Sequence, residues 1–134
     1  PNKIYMGEKD FQQLLFIKKY IQKKYKTKII SCKTIRNKNQ LALSSRNLLL
    51  KKKDRIIAEK VIKNLLYFKK NLKVKKNLSK ILNSKKNELE KLFNISIEYL
   101  DVRNINSLKR SNNIVNSKLF IAFYINKVRL IDNF

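Results

Sequence analysis

The sequence predicts an α/β chain, and three features of its patterning predict it. A helical apolar period near the start is followed by a short β-branched run. Two long amphipathic stretches occupy the middle, and the last third alternates apolar and polar residues. Residues 10–25 read as the first helix: Phe11, Leu14, Leu15, Ile21 and Tyr25 follow helical spacing, and Lys18, Lys19, Lys23 and Lys24 supply the polar faces. Asp10 is the expected N-cap, its carboxylate accepting from first-turn amides. Residues 28–32 (Lys-Ile-Ile-Ser-Cys) read as a buried strand. Helix then strand is half of an α/β unit, with the preceding strands expected to lie outside the chain.

Residues 35–47 have mixed polarity and read as a loop holding a short helical turn. Two helices follow, over 54–71 with Ile57, Val61, Leu65, Phe68 and Leu72 on one stripe, and over 77–93 with Leu78, Ile81, Leu82, Leu89 and Leu92. The period switches to two at 95–99. Residues 119–125 and 128–131 then read as a hairpin turning on Asn126-Lys127, where Asn suits a positive φ and Lys does not.

A hydrophobic share of 43% over 134 residues excludes a disordered chain and suffices for one domain, or for parts of two. The charge is unusual, with 33 Lys and Arg against 9 Asp and Glu, a formal +24. Such an excess points to nucleic acid or an anionic membrane. Here, however, the basic residues are mostly Lys, scattered along the chain, and accompanied by many Asn and Ile. These three residues have the most AT-rich codons, so mutational drift accounts for the charge and no specific nucleic-acid partner is expected. A basic nucleic-acid-binding module is the alternative, and it would bind with steep salt dependence. The single cysteine, Cys32, can form no internal disulfide, and a reduced, cytoplasmic protein is expected. No apolar run reaches membrane-spanning length. The start at Pro1 is read as that of a fragment.

Two short strings could carry chemistry. Gly7-Glu8-Lys9-Asp10 opens the first helix, where unpaired amides and the dipole favour an anion, Gly7 permits close backbone approach and Lys9 can add a point charge. The same residues also make an ordinary turn whose acids complement the helix dipole. Leu43-Ser44-Ser45-Arg46-Asn47 gathers two hydroxyls and a guanidinium, a set of donors suited to phosphate, and is equally compatible with a polar loop.

Taken together, Gly7-Glu8-Lys9-Asp10-Phe11-Gln12-Gln13-Leu14, then Thr34-Ile35-Arg36, then Leu41-Ala42-Leu43-Ser44-Ser45-Arg46-Asn47, and finally Arg129-Leu130-Ile131-Asp132-Asn133, resemble the pantothenate synthetase (pantoate–β-alanine ligase) family in order and spacing. The resemblance implies that residues 1–41 form the C-terminal end of a Rossmann-like ATP-binding domain, similar to that of class I aminoacyl-tRNA synthetases. Residues 42–134 would be a small α+β lid domain, two helices beside a short antiparallel sheet. It implies an AMP-forming condensation of pantoate with β-alanine through pantoyl adenylate, with ATP and Mg²⁺, in a homodimer. By motif, Gly7, Glu8, Lys9 and Asp10 would line the ATP site and Gln13 would bind pantoate. Ile35 would contact the adenine side, and Leu43, Ser44, Ser45 and Arg46 would form the phosphate-binding loop. Lys9, Ser44, Ser45 and Arg46 would stabilise charge, with no further catalytic residue assigned and no protein metal ligand. The family's His-x-Gly-His element is not in this chain, which has no His. An isolated fragment is therefore expected to be inactive, and a decayed synthetase is a further alternative. Gln40 stands where the family usually has Gly, Lys33 where it has Pro, and Lys51 where it has a Ser or Thr cap.

Overall fold

A computed structural model describes residues 1–72 and 77–134. They divide into two compact units, residues 1–35 and 36–134.

The first unit runs β1 (Lys3–Gly7), a 3-10 turn (Glu8–Asp10), α1 (Phe11–Tyr25) and β2 (Lys28–Cys32). The two strands pair in parallel, in register from Lys3↔Lys28 to Gly7↔Cys32. A strand does therefore precede the helix, contrary to the expectation that none would, and the unit is a complete β-α-β. The five residues of β1 hold a single β-branched side chain, Ile4, and so lack the β-branched run that marks β2. The expected Asp10 cap is also corrected. Its backbone lies at φ −91°, ψ 59°, and its side chain caps no amide, because the 3-10 turn runs straight into the helix and does not leave Asp10 in the extended conformation a capping residue needs.

Of the predicted α1 stripe, Leu14 is buried, Phe11, Leu15 and Ile21 are half-buried, and Tyr25 is exposed. The helix stops at Lys26, which takes a left-handed conformation at φ 51°. The buried Thr27 hydroxyl then donates to the Pro1 carbonyl at 2.9 Å, fastening the start of β1 to that of β2. β2 is not the buried strand expected. Ile29 is buried, whereas Lys28, Ser31 and Cys32 are exposed, since two strands and one helix provide too little surface to cover both sheet faces.

The second unit opens with an antiparallel bridge, Arg36↔Ala42. A 3-10 helix (Ser45–Leu49), α2 (Lys52–Asn71), α3 (Leu78–Phe93), β3 (Ser96–Asn104), β4 (Ser117–Ile125) and β5 (Val128–Asn133) follow. The strands form an antiparallel sheet of order β3-β4-β5. One core joins both helices to the sheet, with Val61, Ile62 and Leu65 of α2 and Leu82 and Leu89 of α3 clustered with Ile121 and Phe123 of β4. Residues 36–41, placed with the first domain on sequence grounds, belong to this unit, and Leu41 is in its core.

The α2 stripe holds at Val61, Leu65 and Leu72, and Ala58 and Ile62 widen it. On α3, Leu92 is corrected: it is 61% exposed, and Phe93 packs against the core in its place. The hairpin turns on two residues between the paired Ile125 and Val128. Asn126 takes positive φ (54°), and Lys127 is not among the residues that do, which resolves the misfit of a lysine there. Asn126 Nδ2 also donates to Asp54 Oδ2 at 3.0 Å, tying the hairpin to the first turn of α2. Lys51, at the N-cap of that helix, makes no side-chain capping bond.

Gln40 lies at φ 72°. In that region a Cβ crowds the backbone and a glycine does not. Gln40→Gly is expected to stabilise the chain by about 0.5–1 kcal/mol, the relief of strain exceeding the added entropy of the unfolded chain. A rise in the denaturant midpoint at unchanged m-value checks this.

Candidate functional site

Because β1 and β2 are parallel and Gly7 pairs with Cys32, their carboxyl ends lie at one end of the sheet. In open α/β sheets that is the end at which ligands bind. Residues 7–10 leave β1 there, and Ile35 lies three residues beyond β2. Gly7 has an ordinary extended backbone (φ −70°, ψ 136°), and a Cβ built on it meets no atom within 4 Å. Neither conformation nor packing within the protein therefore requires glycine. Glu8 and Lys9 are half-buried in the 3-10 turn, Asp10 is exposed, and Gln13 is exposed in the first turn of α1. Ile35 is 71% exposed, unusual for its type.

In the second unit, residues 43–46 rise from a firmly held base. Leu41 and Ala42 are buried. The buried Asn47 reaches back, its Nδ2 donating to the Ala42 carbonyl at 3.0 Å, while its N–H donates to the Ser44 carbonyl at 3.1 Å. Ser44 caps the 3-10 helix, its Oγ accepting from the Arg46 amide at 3.3 Å. Leu43, Ser45 and Arg46 project outward, and the Arg46 guanidinium has no ion-pair partner among the described residues. The segment thus presents two hydroxyls and a guanidinium, donor types that can pair with an anion.

The base itself joins two motifs that are 96 residues apart. Arg36 Nη1 meets Asp132 Oδ2 at 2.7 Å and Nη2 meets Oδ1 at 2.9 Å, a bidentate pair. Arg36 also donates to the carbonyls of Gln40 (3.0 Å) and Asn133 (3.2 Å), and its guanidinium lies 5.0 Å from the centre of the Phe134 ring. Asn37 and Asn39 Nδ2 each donate to the Glu59 carboxylate at 2.8 Å in the same region, and these three residues have no period or spacing signal in the sequence, because they act through hydrogen bonds between separate elements.

The resolved pKa shifts lie outside residues 7–13 and 35–47. Burial, and then the nearby Lys118 charge, lowers the pKa of Lys69, and hydrogen bonding from Arg129 lowers that of Glu98. Among the described residues no three His, Cys, Asp or Glu side chains are grouped to hold a metal ion, and no helix is long and apolar enough to cross a membrane.

Comparison with known proteins covers the whole chain. The model of the family described as pantoate-beta-alanine ligase matches residues 1–134. A pantothenate synthetase of Flavobacterium psychrophilum is 38% identical over 137 residues, spanning 99% of this chain and 48% of the relative. One from Clostridium botulinum (strain Loch Maree) is 39% identical over 137 residues, spanning 100% of this chain and 49% of the relative. Among solved structures, a pantothenate synthetase of Thermus thermophilus superposes with a TM-score of 0.83 at 26% identity, over 100% of this chain and 49% of that one. The pantoate-beta-alanine ligase of Francisella tularensis, complexed with beta-gamma ATP and beta-alanine, gives 0.71 at 36% identity, over 100% and 43%. The chain thus spans about half the length of the curated relatives it matches. It belongs to the pantoate–β-alanine ligase family.

Proposed function

We propose that the chain forms part of an enzyme that condenses pantoate with β-alanine at the expense of ATP. The observation that carries this reading is the family match over residues 1–134, with Gly7, Asp10, Gln13, Ile35, Leu43, Ser45 and Arg46 of the motifs at exposed positions. On this reading the β-α-β unit is the end of a Rossmann-like domain, and residues 42–134 act as a lid domain. Residues 7–10 contact ATP, as their place at the carboxyl end of β1 suits, and the absence of a Cβ at Gly7 allows a ligand to approach the backbone. Ile35 offers an exposed apolar surface for adenine. Gln13 presents an amide that both donates and accepts, fitting the hydroxyls and carboxylate of pantoate. Residues 43–46 contact the phosphates.

The chemistry follows from these groups. A pantoate carboxylate oxygen attacks the α-phosphorus of ATP, the bond from that phosphorus to the bridging oxygen breaks, and pyrophosphate leaves. Lys9, Arg46 and the hydroxyls of Ser44 and Ser45 donate to the oxygens on which charge accumulates. The β-alanine amine then attacks the pantoyl carbonyl, AMP departs with the electron pair of the broken C–O bond, and the ammonium proton passes to solvent. No covalent bond to the protein is needed. Magnesium supplies charge neutralisation on the phosphates. It needs only one or two carboxylates beside them, and the Glu8 and Asp10 carboxylates of the ATP-contacting turn fit that requirement. A homodimer in the cytoplasm belongs to the same proposal.

The test joins the part of the Clostridium botulinum relative that lies outside the match ahead of Pro1, and measures pyrophosphate release. Release dependent on both pantoate and ATP is expected from the chimera, and none from the 134 residues alone. A folded chimera without release would overturn the reading.

A further inference from the structure

We infer that Glu59, on α2, is the positioning residue that sets the phosphate-contacting segment 43–46; the inference rests on the reading of that segment given above. Glu59 uses both carboxylate oxygens on one short turn. Oε1 accepts from Asn37 Nδ2 and Oε2 from Asn39 Nδ2, each at 2.8 Å. One helical turn later, Lys63 Nζ donates to Asn39 Oδ1 at 3.1 Å. Asn37 organises the same turn from within: its Oδ1 accepts from the amides of Asn39 and Leu41, both at 3.0 Å, and its carbonyl accepts from the Gln40 amide at 2.9 Å.

The turn is thus built around two asparagine side chains, and one carboxylate fixes both of them to a helix whose neighbouring stripe is in the core. It also contains the strained Gln40, so its conformation is imposed by these bonds and not by backbone preference. It passes directly into the buried Leu41 and Ala42, and the Ala42 carbonyl is the point to which Asn47 is stapled. Residues 43–46 therefore leave from Ala42 and are stapled back to it through Asn47, on a base that the Glu59–Lys63 face ties to α2. Donors that stabilise developing charge act only when held in place, and support of this kind decides whether they are.

The test compares Glu59→Ala, Arg46→Ala, and the double variant Glu59→Gln with Asn39→Asp, all in the 134-residue chain. In the double variant the new amide donates to the new carboxylate while still accepting from Asn37, so the fork is rebuilt with donor and acceptor exchanged. Three quantities are measured: amide hydrogen exchange over 41–47, thermal midpoint, and affinity for magnesium pyrophosphate. In Glu59→Ala, exchange over 41–47 is expected to rise about tenfold while the β3-β4-β5 amides are unchanged. Pyrophosphate affinity should fall roughly tenfold, as for the loss of one charge-assisted hydrogen bond. The double variant should recover most of both. Unchanged exchange in Glu59→Ala overturns the inference, as does affinity that falls in Arg46→Ala but not in Glu59→Ala; the phosphate reading survives either result. Affinity unmoved in both variants overturns the phosphate reading itself, and the inference with it.

Discussion

Asp132→Ala is expected to destabilise the chain by about 3 kcal/mol, at the lower end of what breaking a buried ion pair costs. The Asp132 side chain is 2% exposed and that of Arg36 17%. Removing the carboxylate leaves a guanidinium facing a cavity, with the carbonyls of Gln40 and Asn133 as partial compensation. It also removes the acceptor to which the Asn133 amide donates at 2.8 Å, Asp132 Oδ1. The remaining solvent contact of Arg36 is why the lower end of the range applies. Glu98→Ala is the comparison that isolates burial. Its pair with Arg129 is equally short, 2.7 Å, but the Arg129 and Glu98 side chains are 36% and 41% exposed, and its loss should shift the midpoint far less. Urea unfolding of the two variants checks both, with a shift of midpoint at constant m-value as the readout. Comparable losses from the two would show that Arg36 and Asp132 contribute no more than a surface pair.

That ion pair also marks the limit of what could be read from sequence. α2, α3 and the β4-β5 hairpin were legible because each is long enough to repeat its period several times, and Val61, Leu65, Leu82 and Phe123 lie in the core as that periodicity demands. β1 was not legible, because it holds one β-branched residue, Ile4, whereas β2, of the same length, is marked by the run Ile29-Ile30. Leu92 was misplaced because after the buried Leu89 the i+4 position, Phe93, packs against the core, and the i+3 position, Leu92, is left at the exposed margin of the stripe. Asp10 was misplaced because a composition rule for caps cannot see a preceding 3-10 turn.

The candidate site divides in the same way. Gly7, Gln13, Ile35 and residues 43–46 were found as strings, and Arg36 and Asp132 were found only as members of strings. What their side chains do depends on contacts across 96 residues. Glu59 was invisible, since on an amphipathic helix a glutamate off the apolar stripe is the default occupant. The composition was legible but uninformative about the site: most of the 33 basic residues lie outside the strings, whereas Lys9 and Arg46 were singled out by their neighbours and not by their charge.

Arg46 therefore carries the second large expectation. In the chimera described above, Arg46→Ala should lower kcat for pantoate-dependent pyrophosphate release by about 10²–10³-fold, the loss typical for one preorganised donor to a developing charge. Stability should hardly change, because the side chain is exposed and has no ion-pair partner among the described residues. Arg46→Lys keeps the charge but loses the planar fork that can hold two phosphate oxygens at once, so it should recover activity only in part. Ser45→Ala removes one neutral donor and should cost less than Arg46→Ala, because charge-assisted bonds are roughly twice as strong as neutral ones. The contrast between these changes and those at Asp132 is the decisive pattern. Asp132 acts through the base on which the segment stands, and its loss should lower the thermal midpoint. Arg46 acts on the reacting phosphates, and its loss should lower the rate at an unchanged midpoint. An Arg46→Ala chimera with full turnover would remove residues 43–46 from the phosphate-binding role, whatever the family resemblance.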